Sequence, residues 1–320
     1  MKVNKAVIIG NSGHYGYALE EISKRGIEIC AISCMPDENN GSDRLKKHLT
    51  DLGHDPEVFT DYKEMLAKMK PDIAVINTLF HLNTDCAIES LKRDVNVFLE
   101  KPAALTLGKL NELKAVYSDN SHLKICGMFG IRYDANMQTI KERIAEIGSI
   151  RMINSQKSYK MGTRPEFYKH RETYGGIIPW VAIHAVDWMT WLTGEKYISV
   201  SASHSNAFNS GNGDMEVTAA AVYEMTNGII AAFNADMLRP VSAPTHGDDR
   251  VRIIGTDGVL ESINGRVTLN GSEIPLSPAK NIFDEFLNGN AELTAVDLFD
   301  STYAALLTRE SADKKSMLKF

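Results

Sequence analysis

A strand of apolar residues that ends in regularly spaced glycines and opens directly into a helix leaves a chain few ways to fold. Here Val7-Ile8-Ile9 runs into Gly10-Asn11-Ser12-Gly13-His14-Tyr15-Gly16, and a helical pattern follows over Tyr17–Arg25. The glycines stand three apart, one residue longer than the first step of the G-x-G-x-x-G spacing. The physics survives the extra residue. Glycine permits the sharp turn and the close approach of backbone to a pyrophosphate, whose charge then meets a helix N-terminus. The strand before and the helix after make the motif count. The segment therefore reads as a dinucleotide-binding turn, with Gly10, Ser12, Gly13, His14, Tyr15 and Gly16 against the cofactor.

The same texture continues to about residue 127. Ile27–Ser33, Ala74–Ile76, Val97–Leu99 and Leu123–Gly127 read as strands; Glu64–Met69, Cys86–Lys92 and Leu107–Tyr117 read as helices. Apolar strands separated by amphipathic helices imply a parallel sheet covered on both faces. Right-handed crossovers then make it doubly wound. Beyond Gly127 a helix over Ala135–Ile147 stops at Gly148, and alternating runs follow at Ile150–Ser158, Ile198–Ser203, Val217–Tyr223, Ile229–Asn234 and Val251–Ile254. Asp257-Gly258 and Asn264-Gly265 are hairpin turn signals. The second half is thus an α+β domain with a large, mostly antiparallel sheet, and the boundary falls near residues 127–132.

At 320 residues two domains are expected. A net charge of −6 and the absence of any basic arm disfavour a nucleic-acid or anionic-membrane partner, and with them a DNA-binding regulator. Cys30, Cys34, Cys86 and Cys126 form no C-x-x-C pair and suit a reducing cytoplasm. No signal peptide and no membrane-length apolar run is read from the sequence, so a cytoplasmic location is expected. No metal site is expected either, since no H-E-x-x-H or comparable ligand spacing occurs.

Two further segments carry chemistry. Leu99-Glu100-Lys101-Pro102 ends a strand, where ligands of open α/β sheets bind, and a lysine there can stabilise a developing alkoxide. The second is Gly175-Gly176-Ile177-Ile178-Pro179-Trp180-Val181-Ala182-Ile183-His184-Ala185-Val186-Asp187-Trp188. It reads as a buried helix with Pro179 in its first turn and Gly194 as its stop. His184 and Asp187 share a face with Trp180. A structural hydrogen bond and a proton-handling histidine both remain open from the helix alone.

In this order, the glycine turn, Glu100-Lys101-Pro102 and the Gly-Gly…His-x-x-Asp helix resemble the Gfo/Idh/MocA family of NAD(P)-dependent oxidoreductases. Asn77-Thr78-Leu79-Phe80-His81 looks like that family's (S/T)-P-x-x-x-H segment, with Leu79 in place of its proline, and Gly255-Thr256-Asp257-Gly258 like its late turn. The resemblance implies a Rossmann domain over residues 1–128 and a substrate-binding and oligomerisation domain over 129–320. It makes Lys101 and His184 the catalytic residues, and adds Ser33, Asn77, Thr78, His81, Glu100 and Lys101 to the cofactor set. An aspartate four residues before the histidine commonly completes the set; Trp180 stands there instead.

The expected activity is hydride transfer between a nicotinamide and a hydroxyl or carbonyl carbon of a sugar, polyol or related metabolite. The alternative is a non-catalytic NAD(P)-binding sensor on the same fold. The stretch after the second strand, Ser33-Cys34-Met35-Pro36-Asp37, offers no well-placed acid and no arginine. NAD is therefore favoured over NADP only mildly. Substrate contacts are expected from Lys101, Tyr159, Tyr168, Arg171, Trp180 and His184, with Arg132, Lys157, Arg164 and His246 as further polar groups. That density suits a polyol and equally suits a solvated surface. A homodimer or homotetramer joined through the second sheet is expected, because such a sheet has one face left to cover.

Overall fold

The computed structural model describes residues 1–38, 41–290 and 292–320. They form two compact units: residues 1–129 with 281–300, and residues 130–280 with 301–320. The division after Phe129 lies one residue from the 1–128 and 129–320 reading. The return of residues 281–300 to the first unit was not expected.

In the first unit β1 (Lys5–Ile9), β2 (Glu28–Ser33), β3 (Glu57–Phe59), β4 (Ile73–Ile76), β5 (Asn96–Leu99) and β6 (Ile125–Gly127) form a parallel sheet in the order β3-β2-β1-β4-β5-β6. Helices α1 (Gly16–Arg25), α2 (Gly41–Asp51), α3 (Tyr62–Met69), α4 (Asn83–Lys92) and α5 (Leu107–Asp119) make the crossovers. Strand order reverses between β1 and β4, the switch point at which such sheets bind ligands. Both α2 and β3 escape the sequence pattern. Only Leu45 and Leu49 of α2 give it a buried apolar row, and β3 has three residues.

In the second unit α6 (Ala135–Arg143) tightens into a 3₁₀ turn over Ile144–Ile147 and stops at Gly148, whose φ is +71°. There β7 (Ile150–Tyr159) begins the larger sheet. The short α7 (Arg171–Tyr174) follows, then a π-helical turn over Ile178–Ala182 that leads into α8 (Ile183–Thr193). Strands β8 (Tyr197–Ser205), β9 (Thr218–Met225), β10 (Ile230–Asp236), β11 (Gly247–Gly255), β12 (Val259–Ile263), β13 (Arg266–Leu269) and β14 (Ser272–Ile274) complete most of it.

The chain ends with α9 (Ile282–Asn288), α10 (Ala295–Lys314) and β15 (Leu318–Lys319). The nine described strands run β14-β13-β12-β11-β7-β10-β9-β8-β15, antiparallel except where β7 meets β10. Buried Ile153, Ser155 and Lys157 alternate on β7 with more exposed residues, so one face of the sheet carries the core. Helix α8 packs on that face, where Trp188 Nε1 donates to Ser155 Oγ at 2.7 Å.

Candidate functional site

In the first unit the predicted cofactor residues gather at the carboxyl ends of β1, β2, β4 and β5. Gly10 N–H donates to Ser33 O at 2.8 Å and Ser12 N–H to Asn77 O at 2.9 Å, which pins the glycine turn to its two neighbouring strands. Gly10 has φ +86°, and a Cβ on it would fall on the Thr78 backbone. A Cβ on Gly13 would stand 2.5 Å from Glu100 Oε2, whereas Gly16 has nothing within 4 Å of that position. The turn is thus pressed into the sheet on one side and open at the start of α1 on the other, as a dinucleotide's phosphates require.

Buried polar atoms without a hydrogen-bond partner cluster here as well: Ser33 Oγ, Asn77 Oδ1, Thr78 Oγ1 and His81 Nδ1. Burial holds His81 below the usual histidine range. Such unmet capacity is uncommon in a finished interior and fits a binding crevice. The Tyr15 hydroxyl lies 3.0 Å from His48 Nδ1 on α2.

The Glu-Lys-Pro segment follows β5, and the Lys101–Pro102 peptide is cis. Glu100 is 0% exposed and Lys101 is 2% exposed. Glu100 Oε2 accepts from the main-chain N–H of His14 at 2.8 Å and meets the His14 ring Nδ1 at 2.7 Å. Its Oε1 accepts from the Lys101 N–H at 3.0 Å. Burial alone would raise the Glu100 pKa, but the His14 charge and hydrogen bond, with Lys101, hold it below the usual range.

The acid that the sequence reading did not find is Glu38. Its Oε1 accepts from Asn11 N–H at 2.9 Å and Ser12 Oγ at 2.7 Å, while Oε2 accepts from Met35 N–H at 2.7 Å. It lies 26 residues after Ser12 and folds back over the turn. The available signal was an acid beyond the second strand, but the stretch weighed for it ends at Asp37, one residue short of Glu38.

In the second unit α8 gathers the candidate groups. Its sequence is apolar on all sides, and Trp180, His184, Asp187 and Trp188 are all buried. The π-helical turn at Ile178–Ala182 places Trp180; such turns concentrate at functional sites. The Trp180 ring meets Tyr168 edge-on at 6.4 Å, and Tyr168 packs on Tyr174 at 5.0 Å and under the Arg164 guanidinium at 5.1 Å. Asp187 is claimed by Arg132, through Nε at 2.7 Å and Nη2 at 2.6 Å, and by Ser301 Oγ at 2.9 Å.

At the end of β7, Tyr159 stacks on His246 at 5.2 Å, with the Lys157 ammonium 4.6 Å from the Tyr159 ring centre. Lys157 is buried and ion-paired to Asp249, which lines a cavity of about 450 Å³ together with Asp134, Asn136, Trp188 and Ser262. Burial pushes Asp134 up to about 6, against the lowering effect of Lys157. The Arg171 guanidinium is ion-paired to Glu216 and, at 3.0 Å, to Asp313. Among the described residues no group of His, Cys, Asp and Glu has the arrangement of a metal site.

Two family models match the chain. Residues 6–127 match the oxidoreductase family with an NAD-binding Rossmann fold, and residues 137–261 match the GFO/IDH/MocA C-terminal domain. A Thermotoga maritima protein described as an oxidoreductase is 42% identical in sequence, with a TM-score of 0.95 over 99% of this chain and 100% of that one. Inositol 2-dehydrogenase of Salmonella typhimurium is 25% identical over 202 residues, which is 61% of this chain and 56% of the relative. The myo-inositol 2-dehydrogenase of Lactobacillus plantarum shares the fold over 100% of both chains at a TM-score of 0.77 and 19% identity.

Proposed function

Because the chain belongs to the Gfo/Idh/MocA oxidoreductases, we propose that it moves hydride between NAD(H) and a hydroxyl or carbonyl carbon of a sugar or polyol. What supports this reading most is that Lys101 and His184 are both retained and both nearly buried, each on the element its motif calls for. On this reading the Lys101 ammonium donates to the reacting oxygen and stabilises the charge that develops there. His184 takes the hydroxyl proton on oxidation and returns it on reduction. The nicotinamide, when bound, supplies the hydride acceptor or donor. Trp180 cannot take a proton and offers an apolar ring for a sugar face or the nicotinamide.

Glu38 supports NAD over NADP, since its buried carboxylate opposes a 2′-phosphate beside Asn11 and Ser12. The open face of the larger sheet carries Ile198, Val222 and Ile230 and, farther along, Ile263, all partly exposed, next to Arg250, Arg252 and Glu261. Apolar residues mixed with both signs of charge suit a second copy of the chain related by a two-fold axis. The four buried, free cysteines support a reducing compartment. Among the described residues no helix is long and apolar enough to cross a membrane.

The test is turnover on a panel of sugars and polyols, followed by NADH absorbance. Lys101→Met and His184→Asn are each expected to lower kcat about 10²–10⁴-fold while NADH still binds. Near-normal turnover in either variant overturns its role. Trp180, in place of a carboxylate, favours a second reading, a nucleotide sensor; NADH binding by the unaltered protein without turnover on any substrate would establish it.

A further inference from the structure

One carboxylate in the first unit serves two places at once. Glu100 Oε2 takes both the main-chain N–H and the ring Nδ1 of His14, the residue that follows Gly13 in the glycine turn. Glu100 Oε1 takes the peptide N–H of Lys101. Its own N–H donates to Ile76 O at 2.8 Å, so its backbone is fixed by β4. An ionised carboxylate with no exposure is costly, and it persists where every bond it makes is matched. Here three donors converge on it. The turn has been shaped around it, because any side chain at Gly13 would meet Oε2. The His14 ring, by contrast, is half exposed and stacks on Tyr17 at 5.7 Å. It is therefore the part of the arrangement that solvent or a bound dinucleotide reaches.

We propose that Glu100 is a positioning residue that ties cofactor capture to the placement of Lys101. Through His14 it sets the glycine turn that receives the phosphates, and through the Lys101 peptide it sets the lysine. Its bonds run to His14 and to the Lys101 peptide, and His14 is its contact with the cofactor side. The inference rests on the reading of the glycine turn as the NAD(H) site and adds to it a coupling between that turn and the lysine.

A buried staple with no such coupling would lower stability and little else. A coupling makes the two ends of the bond interchangeable: losing His14 or losing the Glu100 charge does the same damage, and losing both adds nothing. The experiment measures NADH affinity by fluorescence titration, and kcat and KM on the turnover substrate, for the full chain and for Glu100→Gln, His14→Gln and the double variant. His14→Gln lies at a half-exposed position and reports even where Glu100→Gln fails to fold.

Each single variant is expected to weaken NADH binding about tenfold and to lower kcat about 10²-fold, with the sugar KM little changed. The double variant is expected to match the worse single one, and Glu100→Asp to restore part of both losses. The proposal is overturned if the losses multiply in the double variant. It is also overturned if His14→Gln leaves affinity and kcat within about twofold of the unaltered protein. A protein that binds no NADH at all before any substitution instead overturns the cofactor reading, and the proposal with it.

Discussion

Removing the Arg132 guanidinium tests how helix α8 is held. Arg132 and Asp187 are 1% and 2% exposed and meet through two bonds of 2.7 and 2.6 Å. The guanidinium also lies 5.6 Å from the Trp191 ring, and Asp187 keeps a bond from Ser301. In Arg132→Met the apolar volume is largely kept, but the buried Asp187 carboxylate loses both bonds of its guanidinium partner. Breaking one side of a buried pair costs about 3–5 kcal/mol, most of it the penalty of the stranded ion.

For a unit of roughly 170 residues, each kcal/mol is about 2–4 °C, so Tm should fall by about 6–20 °C. Urea unfolding followed by circular dichroism gives the free energy directly. The double variant Arg132→Met, Asp187→Leu removes both charges and should recover most of the loss, because a buried pair is often no better than apolar residues of similar volume. A loss below about 1 kcal/mol in the single variant, or a double variant less stable than the single, would refute the reasoning.

Other outcomes follow from the same geometry. Glu38→Gln should bring the NADPH dissociation constant toward that of NADH by about tenfold or more, read by fluorescence titration; an unchanged ratio removes Glu38 from specificity. Asp134 titrates near 6 in the folded chain, above the usual carboxylate value of about 4. The folded state therefore holds more protons than the unfolded one between those values, and stability falls as pH rises from about 4 to about 6, then levels. Asp134→Asn should abolish that slope in unfolding curves taken across the window. If the chain pairs through its open sheet face as proposed, Val222→Asp should give monomers in light scattering, whereas an unaltered protein that is already monomeric excludes the paired sheet.

The parts legible in the sequence were those whose physics is local. A strand such as Val7–Ile9 is apolar because both faces of its sheet are covered, and the positive φ of Gly10 is a demand of the turn itself. The burial of Trp180 and His184 was legible because aromatic and ionisable groups stand out in an otherwise apolar helical segment. Glu38 was not, since its role depends on a fold-back over the glycine turn that spacing does not encode. Nor was the Arg132 partner, which lies 55 residues away. The ion pairs of Arg171 with Glu216 and Asp313 were not legible either, because they join residues 45 or more positions apart. Helix α10 was missed because Leu298, Phe299, Thr302, Ala305, Leu306 and Ser311 bury it on several sides, leaving no single apolar stripe.

The return of residues 281–300 to the first unit bears on the order in which the protein is made. Phe98 on β5 packs against Phe283 at 5.0 Å and Phe286 at 6.0 Å, and Arg25 on α1 pairs with Asp284. At about 5–20 residues per second, α9 leaves the ribosome roughly 10–40 s after Phe98 does. For that interval the nascent sheet carries an uncovered aromatic face, a natural docking point for a holding chaperone. A fragment ended at residue 129 would keep that face permanently, and would need α9 supplied in trans or grafted to its end to stay in solution.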